Sequence, residues 1–214
     1  MGGLLLAGVQ GGGGVIALLD TSHPLDEAEQ EIGCEVQQLL TPLTRFRLQR
    51  PGMPFAIDNG AFAKFDGKAF MSLLGREQER QGDCLFVSCP DVVGSARRTL
   101  EVFEFWAPKL KGWPVALVAQ DGQEDLPIPW ADIQAVFIGG STEWKIGPHA
   151  AAIVKAAKAL DKWVHAGRVN TPGRFEYFEK LGADSIDGTG MSRFSWMREA
   201  IHARSKQEGL FCEQ

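Results

Sequence analysis

The feature of this chain that most restricts its fold is a series of short apolar runs, each closing on a small or polar residue. They fall at 3–8, 15–19, 55–58, 85–89, 115–120, 135–140, 163–167 and 185–187. Their apolarity is continuous, without strict alternation, which is the pattern of a strand covered on both faces, as in a parallel sheet wrapped by helices. Between the runs lie segments of helical period. In 95–111, Leu100, Phe103, Trp106 and Leu110 recur three or four residues apart and form one apolar stripe. Thr171 and Pro172 read as N-cap and first helical position, Phe175, Phe178 and Leu181 as the buried face, and Gly182 as the stop. Pro148 opens a helix over 148–160, Ser192 caps a final one to 205, and 25–40 is read as a helix that Gly33 interrupts.

Strand and helix alternate at intervals of about 20 to 33 residues, the length of one βα unit. The expected fold class is therefore α/β, a (β/α)8 TIM-type barrel, compact and irregular at its N-terminus. A doubly wound open sheet is the rival. The glycine run 11–14, however, is followed neither by a suitable helix nor by a partnering acid, so it reads as a flexible loop rather than a dinucleotide fingerprint. The segment 123–130, with Pro127 and Pro129, is expected to be a long loop. At 214 residues, with 44% apolar and 23% charged side chains, one barrel domain over 1–214 accounts for the chain.

In such a barrel the active site forms at the C-terminal ends of the strands, where loops vary while the opposite face holds the fold. The polar residues at those ends are Asp58, Asp91, Gln120, 139–141, 165–170 and Asp187. An aspartate before glycine is a common turn residue. Several carboxylates leaving buried strands are another matter, because each costs free energy unless it is hydrogen-bonded or used.

The ordered series Asp-Asn-Gly-Ala-Phe, Cys-Pro-Asp, Gln-Asp-Gly, Phe-Ile-Gly-Gly-Ser, His-Ala-Gly-Arg and Ile-Asp-Gly-Thr resembles the tRNA-guanine transglycosylase superfamily. It is most similar to the short branch of deazaguanine DNA transglycosylases, and the likeness runs over 55–193. The resemblance implies Asp187 as the nucleophile and Asp58 as the proton-transfer group. Asp91, Gln120, Gly139, Gly140 and Asn59 are implied to surround the base. It further implies a free deazaguanine base and duplex DNA with a flipped guanine as partners, in the cytoplasm of a bacterial or phage-infected cell. The tRNA enzymes' zinc motif is missing and the chain is much shorter, so tRNA is not the implied substrate.

The residues suit that chemistry. Exchange at an N-glycosidic bond needs a nucleophile for C1′, a proton donor for the leaving purine and polar groups matched to a purine edge. A duplex would have to release its base into the pocket. Trp144, Lys145, Arg168 and Arg193, with Arg97, Arg98 and Arg174, follow strand ends and are expected to form a basic rim, Trp144 serving as a stacking surface. The net charge of −5 excludes a uniformly basic surface, so a nucleic-acid partner requires such a local patch. His165 is read as a packed strand residue. Cys34, Cys84, Cys89 and Cys212 lack metal-ligand or disulfide spacing, and neither metal nor cofactor is expected. No apolar run is long enough for a membrane span or a leader, which points to a cytoplasmic protein; a homodimer is left open. Two other readings remain at this point: a small-molecule barrel enzyme holding a phosphate near Gly188 and Gly190, and a non-catalytic purine-binding barrel.

Overall fold

The computed structural model describes residues 14–45 and 47–211, with side chains through 204. Its centre is a closed barrel of eight parallel strands in sequential order. These are β1 (Ile16–Leu19), β2 (Val36–Leu40), β3 (Phe55–Ile57), β4 (Cys84–Ser88), β5 (Val115–Ala119), β6 (Ala135–Ile138), β7 (Trp163–Ala166) and β8 (Ser185–Asp187). The ring closes where β1 pairs with β8, Leu18 opposite Asp187. This is the architecture of a TIM barrel. The run expected at 3–8 and most of the glycine run at 11–14 lie outside the described residues.

The eighth strand comes instead from the segment read as helix. Leu25–Ile32 is helical (α1), but Gly33 then adopts φ +76 and caps it, its N–H bonding to Glu29 O at 2.9 Å. That left-handed turn, which suits glycine, reverses the chain into β2. The polar pair Gln37 and Gln38 is buried there with partial pairing: Gln37 Nε2 donates to Glu35 Oε1 at 3.0 Å and Gln38 Oε1 accepts from Gln49 N at 2.9 Å, while Gln38 Nε2 has no hydrogen-bond partner.

The remaining helices are α2 (Gly67–Glu77), α3 (Ala96–Trp106), α4 (Thr142–Lys145), α5 (Pro148–Ala159), α6 (Pro172–Leu181), α7 (Thr189–Arg193) and α8 (Ser195–Phe211). Asp66, Ser95 and Thr171 cap α2, α3 and α6 with their side-chain oxygens. The expected helix beginning at Ser192 is two helices, split at Phe194. Among the described residues the β2–β3 connection carries no helix, and the β5–β6 connection only a short 3-10 turn, Gln123–Asp125. No described helix is long and apolar enough to cross a membrane.

Strand parity positions the site. Leu18, Leu39, Ala56, Val118 and Phe137 pack together inside the barrel, whereas the neighbours Leu19, Leu40, Ile57, Leu117 and Val136 pack in the layer beneath the helices. Side chains alternate along a strand, so the next inward positions are Asp20, Thr41, Asp58, Gln120 and Gly139. In β7 and β8 the inward pairs are His165 then Gly167, and Ser185 then Asp187. His165 stacks between Phe86 and Phe137, at ring distances of 4.8 and 4.5 Å, and its Nδ1 lies 2.9 Å from Ser185 Oγ. A mostly apolar plug thus fills the barrel, and the polar residues form the layer above it.

Candidate active site

Above the plug lies a cavity of about 390 Å³, floored by Leu39, Val118 and Phe137. Asp58, Asp91 and Asp187 all line it, together with Asn59, Gln120, Gly139, Lys145, Arg168 and Arg193. Asp58, Gln120 and Asp187 converge because their strands end on the same inward parity, whereas Asp91 reaches the cavity from the loop after β4, held by Asn59 and Gln120. The volume lies in the range of sites that take a small molecule.

The three acids sit in different environments. Burial pushes Asp58 up to about 7, and the neighbouring charges of Asp187, Asp91 and Asp20 add to the rise, against one hydrogen bond from Gly60 N at 2.5 Å. At neutral pH its carboxyl both holds and releases a proton. Asp91 is also raised by burial, but less freely: Oδ1 accepts from Asn59 Nδ2 at 2.9 Å and Oδ2 from Gln120 Nε2 at 2.7 Å. Asp187 Oδ1 accepts from the backbone N–H of Arg168 at 2.5 Å. His165 Nε2 lies 3.7 Å from that oxygen and is buried without a hydrogen bond.

Asn59 and Gln120 reach the cavity but are engaged within the protein. Asn59 Nδ2 also bonds Cys89 O at 2.9 Å, and its Oδ1 accepts from Ala61 N at 2.6 Å. Gln120 Oε1 accepts from both Gly94 N at 2.9 Å and Gly140 N at 3.0 Å. Their effect is to fix the Asp91 carboxylate between two amides, on rigid strand ends. Gly139 stands where a Cβ would meet Val118 Cγ1 and Gln120 Nε2 at 2.9 Å, so only glycine leaves that wall open without displacing them. Gly140, at φ +65, has its N–H on Gln120 and its C=O on Arg168 Nη2 at 2.6 Å.

The expected basic rim is only partly present. Arg168 and Arg174 are half-buried in the cavity wall and Arg193 is exposed at its mouth. Arg97 and Arg98 sit on the exposed first turn of α3, away from the cavity wall. Lys145 is a correction to the rim: its side chain is 1% exposed and its ammonium donates to Gly167 O at 2.6 Å, beneath the loop. Trp144 is likewise occupied, its ring packed over Gly140 and its Nε1 bonded to Glu124 Oε2 at 2.8 Å, so it is a wall of the β6 loop rather than a free stacking surface.

Asp20 is among the cavity residues that the sequence reading does not single out, and Phe62 closes the Asp-Asn-Gly-Ala-Phe motif without being assigned a role there. Asp20, at the end of β1, is held by Thr44 Oγ1 at 2.9 Å and raised by burial. It follows an apolar run as Asp58 does, so the same strand-end rule would have found it. Phe62 stands 66% exposed at the cavity, with the Arg168 guanidinium 4.2 Å above its ring. It lies in a turn after β3, and no periodicity marks such a position.

No protein-family model matches this chain, and no curated protein matches its sequence. Solved structures do match in fold. The BexX/CysO complex of Amycolatopsis orientalis aligns at TM-score 0.54 and 12% identity, over 92% of this chain and 90% of that one. The flavin-binding domain of baker's yeast flavocytochrome b2 aligns at 0.51 and 12%, over 90% and 61%. Phosphoribosyl anthranilate isomerase from Thermus thermophilus aligns at 0.45 and 14%, over 91% and 99%. At these identities the first two of these likenesses speak for the barrel fold alone.

Proposed function

We propose that this chain is a base-exchanging transglycosylase that replaces guanine in DNA with a 7-deazaguanine such as 7-cyano-7-deazaguanine. The observation that carries the reading is the differentiation of three carboxylates around one cavity: Asp58 poised near neutrality, Asp91 locked between two amides, and Asp187 tethered by one oxygen. A carboxyl raised toward neutrality can hand a proton to a leaving base, beside a second carboxylate held in place by a backbone N–H.

In the first half-reaction an oxygen of Asp187 attacks C1′ of the target nucleotide. The bond from C1′ to the purine nitrogen breaks, its electron pair leaves with guanine, and the proton of Asp58 passes to that base. The incoming deazaguanine then gives its ring N–H proton to Asp58, and its nitrogen attacks C1′ and expels the Asp187 carboxylate. Two inversions leave the sugar configuration retained. Asp91, held in place by Asn59 and Gln120, faces the purine edge with its remaining acceptor lone pairs; a base without the matching donors forgoes those bonds, which lowers its affinity. Phe62 and Arg168 present a planar face to the ring.

The test is incubation with duplex DNA and 7-cyano-7-deazaguanine, followed by nucleoside analysis. Incorporation is expected from the wild type and should vanish in a folded Asp187→Ala variant; exchange that survives Asp187→Ala removes the nucleophile. A second reading, an enzyme acting on a free phosphorylated nucleoside, is favoured by the net charge of −5 together with the cations Lys145, Arg168, Arg174 and Arg193 around the cavity. Exchange into a nucleoside monophosphate but not into DNA would select it.

A further inference from the structure

Lys145 is a fully buried cation at the cavity wall, a placement that costs desolvation unless the charge is used. Its ammonium bonds Gly167 O at 2.6 Å. That carbonyl belongs to the same peptide unit as the Arg168 N–H, which donates to Asp187 Oδ1 at 2.5 Å. We propose that Lys145 is a positioning residue for Asp187, acting through the peptide unit between Gly167 and Arg168; its catalytic consequence rests on the transglycosylase reading.

A cation on the carbonyl oxygen draws density from the amide nitrogen and makes its N–H a stronger donor, as in any polarised hydrogen-bond chain. The effect of the charge reaches the Asp187 carboxylate without an ion pair. The peptide is held in place against local preference. Arg168 sits at φ +57, a left-handed conformation that is costly for a non-glycine residue. Gly167 must be glycine, since a Cβ there would stand 2.3 Å from Phe137 Cε1. A second strut, Val169 N to Asp187 O at 2.7 Å, pins the backbone of the same residue. One carboxylate oxygen is thereby tied down and the other is left for attack.

The charge state of Lys145 is itself adjustable. Burial lowers its pKa to about 8, the Arg168 and Arg174 charges push the same way, and Asp187 and Asp121 oppose them. Below that pH the ammonium polarises the peptide; above it the neutral amine does so weakly.

The experiment follows the Arg168 backbone amide by 1H–15N NMR in the intact protein from about pH 6 to about pH 10, spanning the range in which the lysine titrates. The resonance is expected downfield at low pH, moving upfield with a midpoint near 8. In Lys145→Met it is expected upfield and without the step near 8, any remaining response following Asp58 near 7, and aminoethylation of Lys145→Cys should restore both position and the step near 8. In the exchange assay Lys145→Met should lower kcat on the order of 10²-fold while KM changes far less, the signature of a misplaced nucleophile. An Arg168 amide that neither titrates near 8 nor responds to Lys145→Met overturns the proposal. If Lys145→Met does not fold, the same titration in Asp58→Asn, which removes the carboxyl that titrates near 7, decides: a step near 8 that persists supports the proposal and its absence overturns it. The amide measurement needs no substrate, so it judges Lys145 even where the exchange assay fails and the transglycosylase reading with it.

Discussion

Asp58 shows how one residue's placement sets both chemistry and stability. Its pKa is about 7 in the fold and 3.8 as the ordinary value, so between those pH values the folded state binds more protons than the unfolded one. Stability therefore falls as pH rises through that window, by up to about 4 kcal/mol in the limit of the full shift. Asp58→Asn keeps an oxygen for the Gly60 N–H and removes the charge. Its melting temperature is expected to exceed that of the wild type at pH 8 by more than at pH 4; an equal difference at both pH values would mean that Asp58 is not strained by burial. Base exchange should be lost in the same variant, separating the group's chemical use from its structural cost. At this scale the sequence was legible where a carboxylate leaves a strand. It was illegible where hydrogen-bond partners decide availability. Nothing in the string shows that Gln120 and Asn59 are committed to Asp91, or that Lys145 lies under a loop instead of on its surface.

Among the elements, those with explicit signals were found. Thr171, Pro172 and Gly182 bound α6 as capping chemistry requires, and Ser95 opens α3. The segment 25–40 reads as one helix because Gln37 and Gln38 interrupt the apolar run of β2; Gln37 is bonded locally to Glu35, and only Gln38 bonds a residue distant in sequence, Gln49. The glycine that weakened the helix reading there is the residue that ends α1. Gly33→Ala should destabilise the fold by about 1 to 2 kcal/mol from backbone conformation alone. The added Cβ would also come within 2.6 Å of His202 Nδ1 on α8, which must shift. Urea denaturation measures this, and an unchanged midpoint would show that the turn tolerates a side chain. Helix α2 does carry a signal that the sequence analysis leaves unused, Asp66 as N-cap with Phe70, Leu73 and Leu74 at helical spacing, whereas α4 is a single turn too short to show a period.

For the whole molecule, alternation of strand and helix predicted the barrel, and closure follows from the pairing of β1 with β8. Helix α8 fastens that seam: Arg198 bonds Met191 O at 2.6 Å and Glu31 Oε2 at 2.5 Å, linking the last βα unit to α1. What the sequence could not display is the common inward parity of Asp20, Asp58, Gln120, Gly139 and Asp187, which depends on where each strand begins. That parity brings the acids to one cavity, and the functional account rests on it. The most direct measurement is transfer of radiolabelled guanine into unmodified duplex DNA, since exchange of guanine for guanine requires no knowledge of the modified base. The account predicts label in DNA with the wild type and none with Asp187→Ala. Folded wild-type protein that leaves the DNA unlabelled, or an Asp187→Ala variant that labels it equally, would contradict the account.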